Sequence, residues 1–178
     1  YHTNEGGSWV NETITDTTKD EGHDPAMAMD GNGNLHVAYY CKSGCNDLRL
    51  SSRMNGVWQN ETVSSTNDIG QDPDIAIDSQ GTIHIVSRYA SLSSGRIYLH
   101  SGTPGSWTVN TGLGGGNAYW PVVGVDSNDA VHISYHRSWT YKNVMYMTNA
   151  SGSWSTASII ENRGGWGSEM VIDANDDV

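Results

Sequence analysis

The chain has 178 residues, enough to bury the core of one domain. Its net charge of −11 excludes nucleic acid and anionic membrane surfaces as partners, since both call for a basic face, and no apolar run approaches the roughly 18 residues of a membrane span. Only 16% of residues are charged, while 21 Gly, seven Trp, nine Tyr and no Phe describe a turn-rich β protein, because Gly and Asn supply the left-handed positions of tight hairpins.

The first recognisable stretch is "HTNEGGSWVNETI", with Trp9 followed by a short β-prone run. After it comes "DPAMAMDGNGNLHVAYYCKSGCNDLRLSSRMNGVWQNETV", residues 24–63. It reads as four strands: "PAMAMD" (25–30), "LHVAYY", "LRLSSR" and "WQNETV". The next two stretches repeat the order. "PDIAID" (73–78), "IHIVSRY", "IYLHS" and "WTVNT" form one unit, and "PVVGVD" (121–126), "VHISYHR", "VMYMTN" and "WSTASII" form the next. A further first strand, "SEMVID" (168–173), opens the last stretch. Three markers keep one period. Asp30, Asp78, Asp126 and Asp173 are spaced by 48, 48 and 47 residues; Trp9, Trp58, Trp107 and Trp154 by 49, 49 and 47; His36, His84 and His132 by 48.

Within each first strand the small residues Ala28, Ala76 and Gly124 alternate with Met27/Met29, Ile75/Ile77 and Val123/Val125, the period of a strand with two different faces. The links "DGNGN", "DSQGT", "DSNDA" and "DANDD" carry Gly33, Gly81, Asp129 or Asp176 at their fourth position. That pattern predicts a type I turn with a G1 bulge, capped by the leading Asp as an Asx turn. The same Asp-rich composition carries a minor reading as a Ca2+ loop; no other cofactor and no metal site are expected.

Four-stranded antiparallel units at this spacing predict an all-β fold, a β-propeller of ~48-residue blades. We expect one domain over residues 1–178, with blades at about 22–65, 70–113 and 118–161 and a fourth split between residues 1–14 and 165–178. The ring is then four-bladed or part of a larger one. Small first-strand residues face the crowded axis, and each Trp fills the wider gap between blades. A blade lacking its second strand exposes pairing edges, so the chain is expected to be a fragment of a longer repeat protein that either closes as an imperfect four-bladed ring or associates through those edges as a homo-oligomer. Cys41 and Cys45 in "YYCKSGCN" lack the spacing of redox or zinc motifs. The preferred reading is a local disulfide, with two free thiols as the alternative; a disulfide implies an extracellular or cell-surface location.

The repeats resemble the sialidase-like (BNR or Asp-box-related) propeller repeats found in secreted and surface bacterial proteins. The resemblance spans the chain; "TNASGSW" and "HTNEGGSW" keep the Gly and Trp of an Asp-box but not its Asp. It implies a propeller scaffold, and such scaffolds host unrelated functions. The family's enzymes clamp a carboxylate with three arginines, for which Arg88 and Arg137, then Arg49 or Arg96, are the available positions. The Arg-Ile-Pro motif of those enzymes is absent.

Ligands of propellers usually meet the face built from the loops that enter the first strand and leave the second. Here those loops carry His23, Gln71, Tyr119 and Trp166 on one side and Tyr40, Arg88 and His136 on the other. The third blade is the richest. Tyr119 and Trp120 enter its first strand, and Tyr135, His136, Arg137, Trp139 and Tyr141 leave its second. Aromatic faces beside Arg and His suit sugar stacking and hydrogen bonds to hydroxyls or a uronate carboxylate.

The nominated ligand residues are therefore Tyr119, Trp120, Tyr135, His136, Arg137, Arg88, His23 and Trp166. A non-enzymatic, glycan-directed extracellular binding or scaffold module is the leading function. The alternatives are a glycan-active hydrolase or lyase, with Tyr135, His136 and Arg137 as base, acid and neutraliser, and a protein–protein scaffold. Asp74 and Glu169, at equivalent first-strand positions, form a candidate carboxylate pair. His36, His84 and His132 are read as structural, each bonding a backbone group near its hairpin. The "NET" at Asn11 and Asn60 and the "NAS" at Asn149 are read as accidental sequons.

Overall fold

A computed structural model of the chain describes residues 1–15, 18–66, 68–89, 95–137, 143–160, 167 and 169–178. A two-stranded pair comes first, β1 (His2–Thr3) with β2 (Val10–Asn11). Three four-stranded antiparallel sheets follow in strict chain order. They are β3 (His23–Met29), β4 (Leu35–Cys41), β5 (Asp47–Met54) and β6 (Val57–Ser64); then β7 (Ile69–Ile77), β8 (Ile83–Tyr89), β9 (Arg96–Thr103) and β10 (Ser106–Leu113); then β11 (Ala118–Val125), β12 (Val131–Arg137), β13 (Asn143–Thr148) and β14 (Ser155–Ile160). These are three consecutive blades of an all-β propeller, each a four-stranded meander.

Burial follows the position of a strand in its blade. In β4 the run from Val37 to Cys41 is buried throughout, because both faces of this second strand are covered, so it reads as a continuous apolar run. The outermost strands alternate, leaving Val57, Val109 and Ile159 exposed. Two clusters form the core, both lying between blades. Leu48, Leu50 and Val63 meet Ile75, Ile83 and Ile85 between the first and second blades, with Trp107 packed against them. Ile97, Leu99 and Leu113 meet Val123, Ile133 and Met147 between the second and third, with Trp154 in the same role. Trp107 and Trp154 thus fill the inter-blade gap.

The first hairpin of each blade has the expected chemistry. Gly33 N–H donates to Asp30 O at 3.0 Å, and Asp30 Oδ1 accepts from Asn32 N and Asn34 N at 2.9 and 2.8 Å. The pattern recurs at Asp78, Asp126 and Asp173. The fourth turn residue is left-handed in all four, with φ of 82° and 81° at Gly33 and Gly81 and 63° at Asp129 and Asp176.

The histidines that follow do not bond backbone as the sequence suggested. His84 Nε2 and His132 Nε2 lie 3.2 and 3.1 Å from the turn carboxylates of Asp78 and Asp126, and their Nδ1 atoms meet Ser101 Oγ and Tyr146 Oη on the third strand. His36 sits the same way between Asp30, at 3.7 Å, and Ser52 Oγ. The reason is reach: an imidazole one strand from the turn falls on the outer carboxylate oxygen, since the inner one already serves the backbone. Burial raises the Asp78 and Asp126 carboxyls, but backbone and His hydrogen bonds outweigh it and leave both below their ordinary value.

Two elements of the expected fourth blade are present at opposite ends of the chain. The β1–β2 pair docks on the first blade, with the Tyr1 ring edge-on to Trp58 at 5.4 Å and Arg53 reaching Glu5 and Glu12 at 3.4 Å each. Residues 169–173 keep the turn but form no strand ladder. Among the described residues no strand pairing or hydrogen bond joins the two pieces into one sheet.

Candidate functional site

Each first strand carries an irregularity at the same repeat position, and it decides where the site lies; β7 has a second slip, between Ile69 and Gln71. The ladder between first and second strands slips between His23 and Ala26, between Gln71 and Asp74, and between Tyr119 and Val122. The slip falls at an X-Pro pair: Asp24-Pro25, Asp72-Pro73 and Trp120-Pro121. Proline has no N–H for the ladder, so pairing breaks there and a bulge re-aims the preceding side chain. That residue is left-handed in all three blades, with φ of 49°, 49° and 48° at Asp24, Asp72 and Trp120. A positive φ costs a non-glycine residue conformational energy, and for a bulky one it is a genuine outlier. The three side chains line the mouth of a cavity of about 410 Å³ where the inner strands converge. Asp74 and Glu169 line it as well.

Beside that mouth a continuous band crosses the three blades. On the first-blade side His23, Tyr40, Lys42, Asn46, Asp68 and Gln71 line a cavity of about 560 Å³. The Tyr40 hydroxyl donates to Asp68, and His23 Nε2 meets Asp20 at 2.7 Å. Burial, then the bond to Asp68, pushes the Tyr40 phenol up to about 12, so it stays a donor. Gln71 carries the band onward by accepting from Arg88 Nη2 at 2.6 Å, while Arg88 Nε donates to Asp72 at 2.8 Å. The Arg88 guanidinium lies over the Tyr119 ring, 5.1 Å from its centroid. Tyr119 in turn meets Trp120 at 5.8 Å and His136 at 6.4 Å, and Trp120 meets His136 at 5.7 Å.

The nominated residues thus divide. Arg88, Tyr119, Trp120 and His136 come together as one cluster, in which His136 is buried, at 2% exposure, and so backs the aromatic rings rather than facing solvent. Within it Trp120 reaches the axial mouth, while one face of Tyr119 is taken by Arg88. His23 sits apart, in the cavity of the first blade. Arg137 is exposed, and a side chain at Gly115 would meet its guanidinium at 3.4 Å, so the glycine leaves room for it.

Tyr135 is displaced from the face altogether. It is 1% exposed in the core between the second and third blades, and burial raises its phenol. Successive residues of β12 alternate faces, but both faces of a second strand are covered, so a position between two site residues need not belong to the site. The lyase base assigned to it loses its access to substrate. Trp166, Trp139 and Tyr141 lie outside the described residues.

Sequence reasoning missed Asp24, Asp72 and Asp68. The available signal was the X-Pro pair recurring at one position of each repeat, which marks the bulge. Asp74 is also more than a lining residue: its Oδ2 accepts Val123 N at 2.8 Å, tying β7 to β11. Burial raises its carboxyl, against the bonds from Val123 and Ile75 N–H groups.

Cys41 and Cys45 are joined by a disulfide, with Cα atoms 5.8 Å apart, at the tip of the loop after β4. Glu21 approaches the same sulfurs, the one grouping of three metal-type donors among the described residues. The disulfide withdraws both thiols, so this set does not fit a thiolate-bound metal.

No protein-family model matches the chain, and a search of curated protein sequences found no significant match. Solved structures do resemble it. A Hadza microbial sialidase aligns with a TM-score of 0.61 at 11% identity, over 79% of this chain and 38% of that one. The GH93 α-L-arabinofuranosidase of Fusarium graminearum, in complex with arabinobiose, aligns with a TM-score of 0.57 at 12% identity, over 82% and 51%. A fucose lectin from Kordia zhangzhouensis, in complex with methyl-fucoside, aligns with a TM-score of 0.51 at 18% identity, over 75% and 96%. The chain therefore spans 38% of the sialidase and about half of the arabinofuranosidase. These likenesses establish the class: a sialidase-like β-propeller fold.

Proposed function

We propose that the chain is a non-enzymatic glycan-binding propeller module of an extracellular protein, and that it takes neutral sugars at the axial mouth beside the Arg88–Tyr119–Trp120–His136 cluster. The observation that carries this is the left-handed Trp120. An indole set at a strained position, on the rim of a cavity of about 410 Å³, supplies a rigid apolar platform for the C–H face of a pyranose or furanose ring. Around it stand Asp24, Asp72, Asp74 and Glu169, acceptors suited to sugar hydroxyls. Carboxylates in that number repel a uronate or sialate, and Arg88 of the adjoining cluster is already paired with Asp72. The solved neighbours include two kinds of glycosidase and a lectin, which supports a glycan-directed reading at the level of the scaffold. The disulfide at Cys41–Cys45 supports the extracellular setting.

A glycan array containing neutral and acidic oligosaccharides tests the proposal: retention of neutral glycans is expected, and an array with no retained glycan turns the reading to a protein–protein scaffold. One observation favours a second reading, a glycoside hydrolase. Asp74, its carboxyl raised by burial, shares the mouth with Glu169, and two carboxyl groups facing one cavity are the equipment of a glycoside hydrolase. Turnover of aryl glycosides that is lost in Asp74→Asn would establish that alternative.

A further inference from the structure

The inner strands show one packing rule, applied three times. Met27-Ala28-Met29, Ile75-Ala76-Ile77, Val123-Gly124-Val125 and Met170-Val171-Ile172 occupy equivalent positions. The outer two residues of each triplet face the preceding blade, and the middle one faces the following blade. Ala26 and Ala28 pack in the cluster that holds Ile75 and Ile77, and Ala76 packs in the cluster that holds Val123. A side chain at Gly124 would meet Ile172 Cδ1 at 2.9 Å and Met170 Cε at 3.2 Å. Residues 169–173 therefore sit on the third blade as β7 sits on the first.

That rule leaves one half-interface uncovered at each end of the arc. Ile75 and Val123 are 6% and 7% exposed, but their counterparts Met27 and Met29 are 58% and 65% exposed; at the other end Val171, the middle residue, is 78% exposed. Trp9 is exposed too, where its counterparts Trp107 and Trp154 pack into gaps between blades. Beside Met27 lies a cavity of about 590 Å³, whose lining includes Tyr1, Ile14, Pro25 and Tyr39. Contiguous apolar exposure of this kind marks an interaction surface. Because Met27, Met29 and Val171 are all exposed in the same chain, its two ends do not cover one another.

We propose that copies of the chain associate head to tail, the Val171 face of one copy packing on the Met27–Met29 face of the next, with Trp9 of the second copy entering the gap behind the third blade of the first. The occupant is a second copy because the two faces are the separated halves of an interface the chain already uses between its own blades. The contact is heterologous, so it propagates and closes into a ring wherever the rotation allows. It also repeats the Trp120 platform in one assembly, which multiplies avidity for a repeated ligand.

Light scattering after size exclusion and pairwise cross-linking test this. The unmodified chain is expected to show a mass of two or more copies that falls on dilution. Met29→Asp and Val171→Asp are each expected to read as one copy with an unchanged circular dichroism spectrum, since both side chains are exposed in the single chain. A mixture of Val171→Cys chains with Met29→Cys chains is expected to yield a disulfide-linked species containing one of each. A mass of one copy at every concentration overturns the proposal. So does equally efficient cross-linking of either variant with itself, and so does an internal cross-link in the chain carrying both cysteines, which would mean that the arc closes on itself.

Discussion

Asp176 holds Ser127 through both of its carboxylate oxygens, Oδ1 accepting from Ser127 N at 2.8 Å and Oδ2 from Ser127 Oγ at 2.6 Å. Asp129 holds Ser79 in the same way, at 2.8 Å for each bond. The left-handed residue that completes one blade's hairpin therefore clasps the hairpin of the blade before it. At the junction of the first and second blades the corresponding residues are Gly31 and Gly81, which have no side chains to form a clasp.

The clasp is transferable. Asp129→Ala is expected to destabilise the chain by about 1 kcal/mol, the net worth of such exposed hydrogen bonds. The pair Gly31→Ser with Gly81→Asp is expected to install a third clasp. Gly81 has φ of 81°, where Asp129 has 63°, and a Cβ at Gly31 meets nothing within 4 Å. A gain of about 1 kcal/mol would raise Tm by roughly 2–4 °C in a domain of this size. Thermal melts of the two variants check both halves.

His100 makes stability depend on pH between the first and second blades. It is fully buried, neither ring nitrogen has a hydrogen-bond partner among the described residues, and burial lowers its pKa to about 4. The unfolded chain binds this proton near pH 6.5, so the stability is fully present above that value. It is lost as pH falls from about 6.5 to about 4, by about 3 kcal/mol. The turn carboxylates act in a different window: Asp78 and Asp126 lie below the ordinary carboxylate value, and their contribution is lost only as pH falls further. His100→Met copies Met147, which occupies the same register in the third blade, and is expected to abolish the pH 6.5–4 slope in denaturant titrations. An unchanged slope would contradict this assignment.

Gly70 fixes how closely β7 approaches the first blade. Its φ is 131°, and a Cβ there would lie 2.8 Å from Leu48 Cα and 2.9 Å from Leu48 N. Those are backbone atoms and cannot rotate away. Gly70→Ala is expected to cost about 3 kcal/mol through strain and overpacking, whereas Gly31→Ala, in open space, is expected to stay within about 0.5 kcal/mol. Urea midpoints of the two variants provide the comparison.

The repeat made the fold legible because Asp30, Trp58 and their counterparts answer needs that recur in every blade: a capped turn and a filled gap. Partners across the repeat were harder to see. The Glu of "NET" read as part of an accidental sequon, yet Glu12 accepts the Trp58 indole N–H, and Glu61 accepts from Trp107 Nε1 at 3.3 Å and Gly105 N at 2.7 Å. Each Glu–Trp pair links residues 46 apart, a separation that strand periodicity does not reveal. The site was half legible for the same reason. Loop positions pointed to Tyr119, Trp120, His136 and Arg88, but the packing that hides Tyr135 and the bulge that aims Asp24, Asp72 and Trp120 at the axis are three-dimensional facts.

Calorimetric titration of a neutral oligosaccharide retained on the array, into the unmodified chain and into Trp120→Ala, tests whether the axial mouth binds glycans. Removing the indole platform is expected to weaken binding at least tenfold, about 1.4 kcal/mol, while Tyr135→Phe, altered only in the core, leaves it unchanged. Equal affinity of the Trp120→Ala variant and the unmodified chain would contradict a glycan site at the axial mouth.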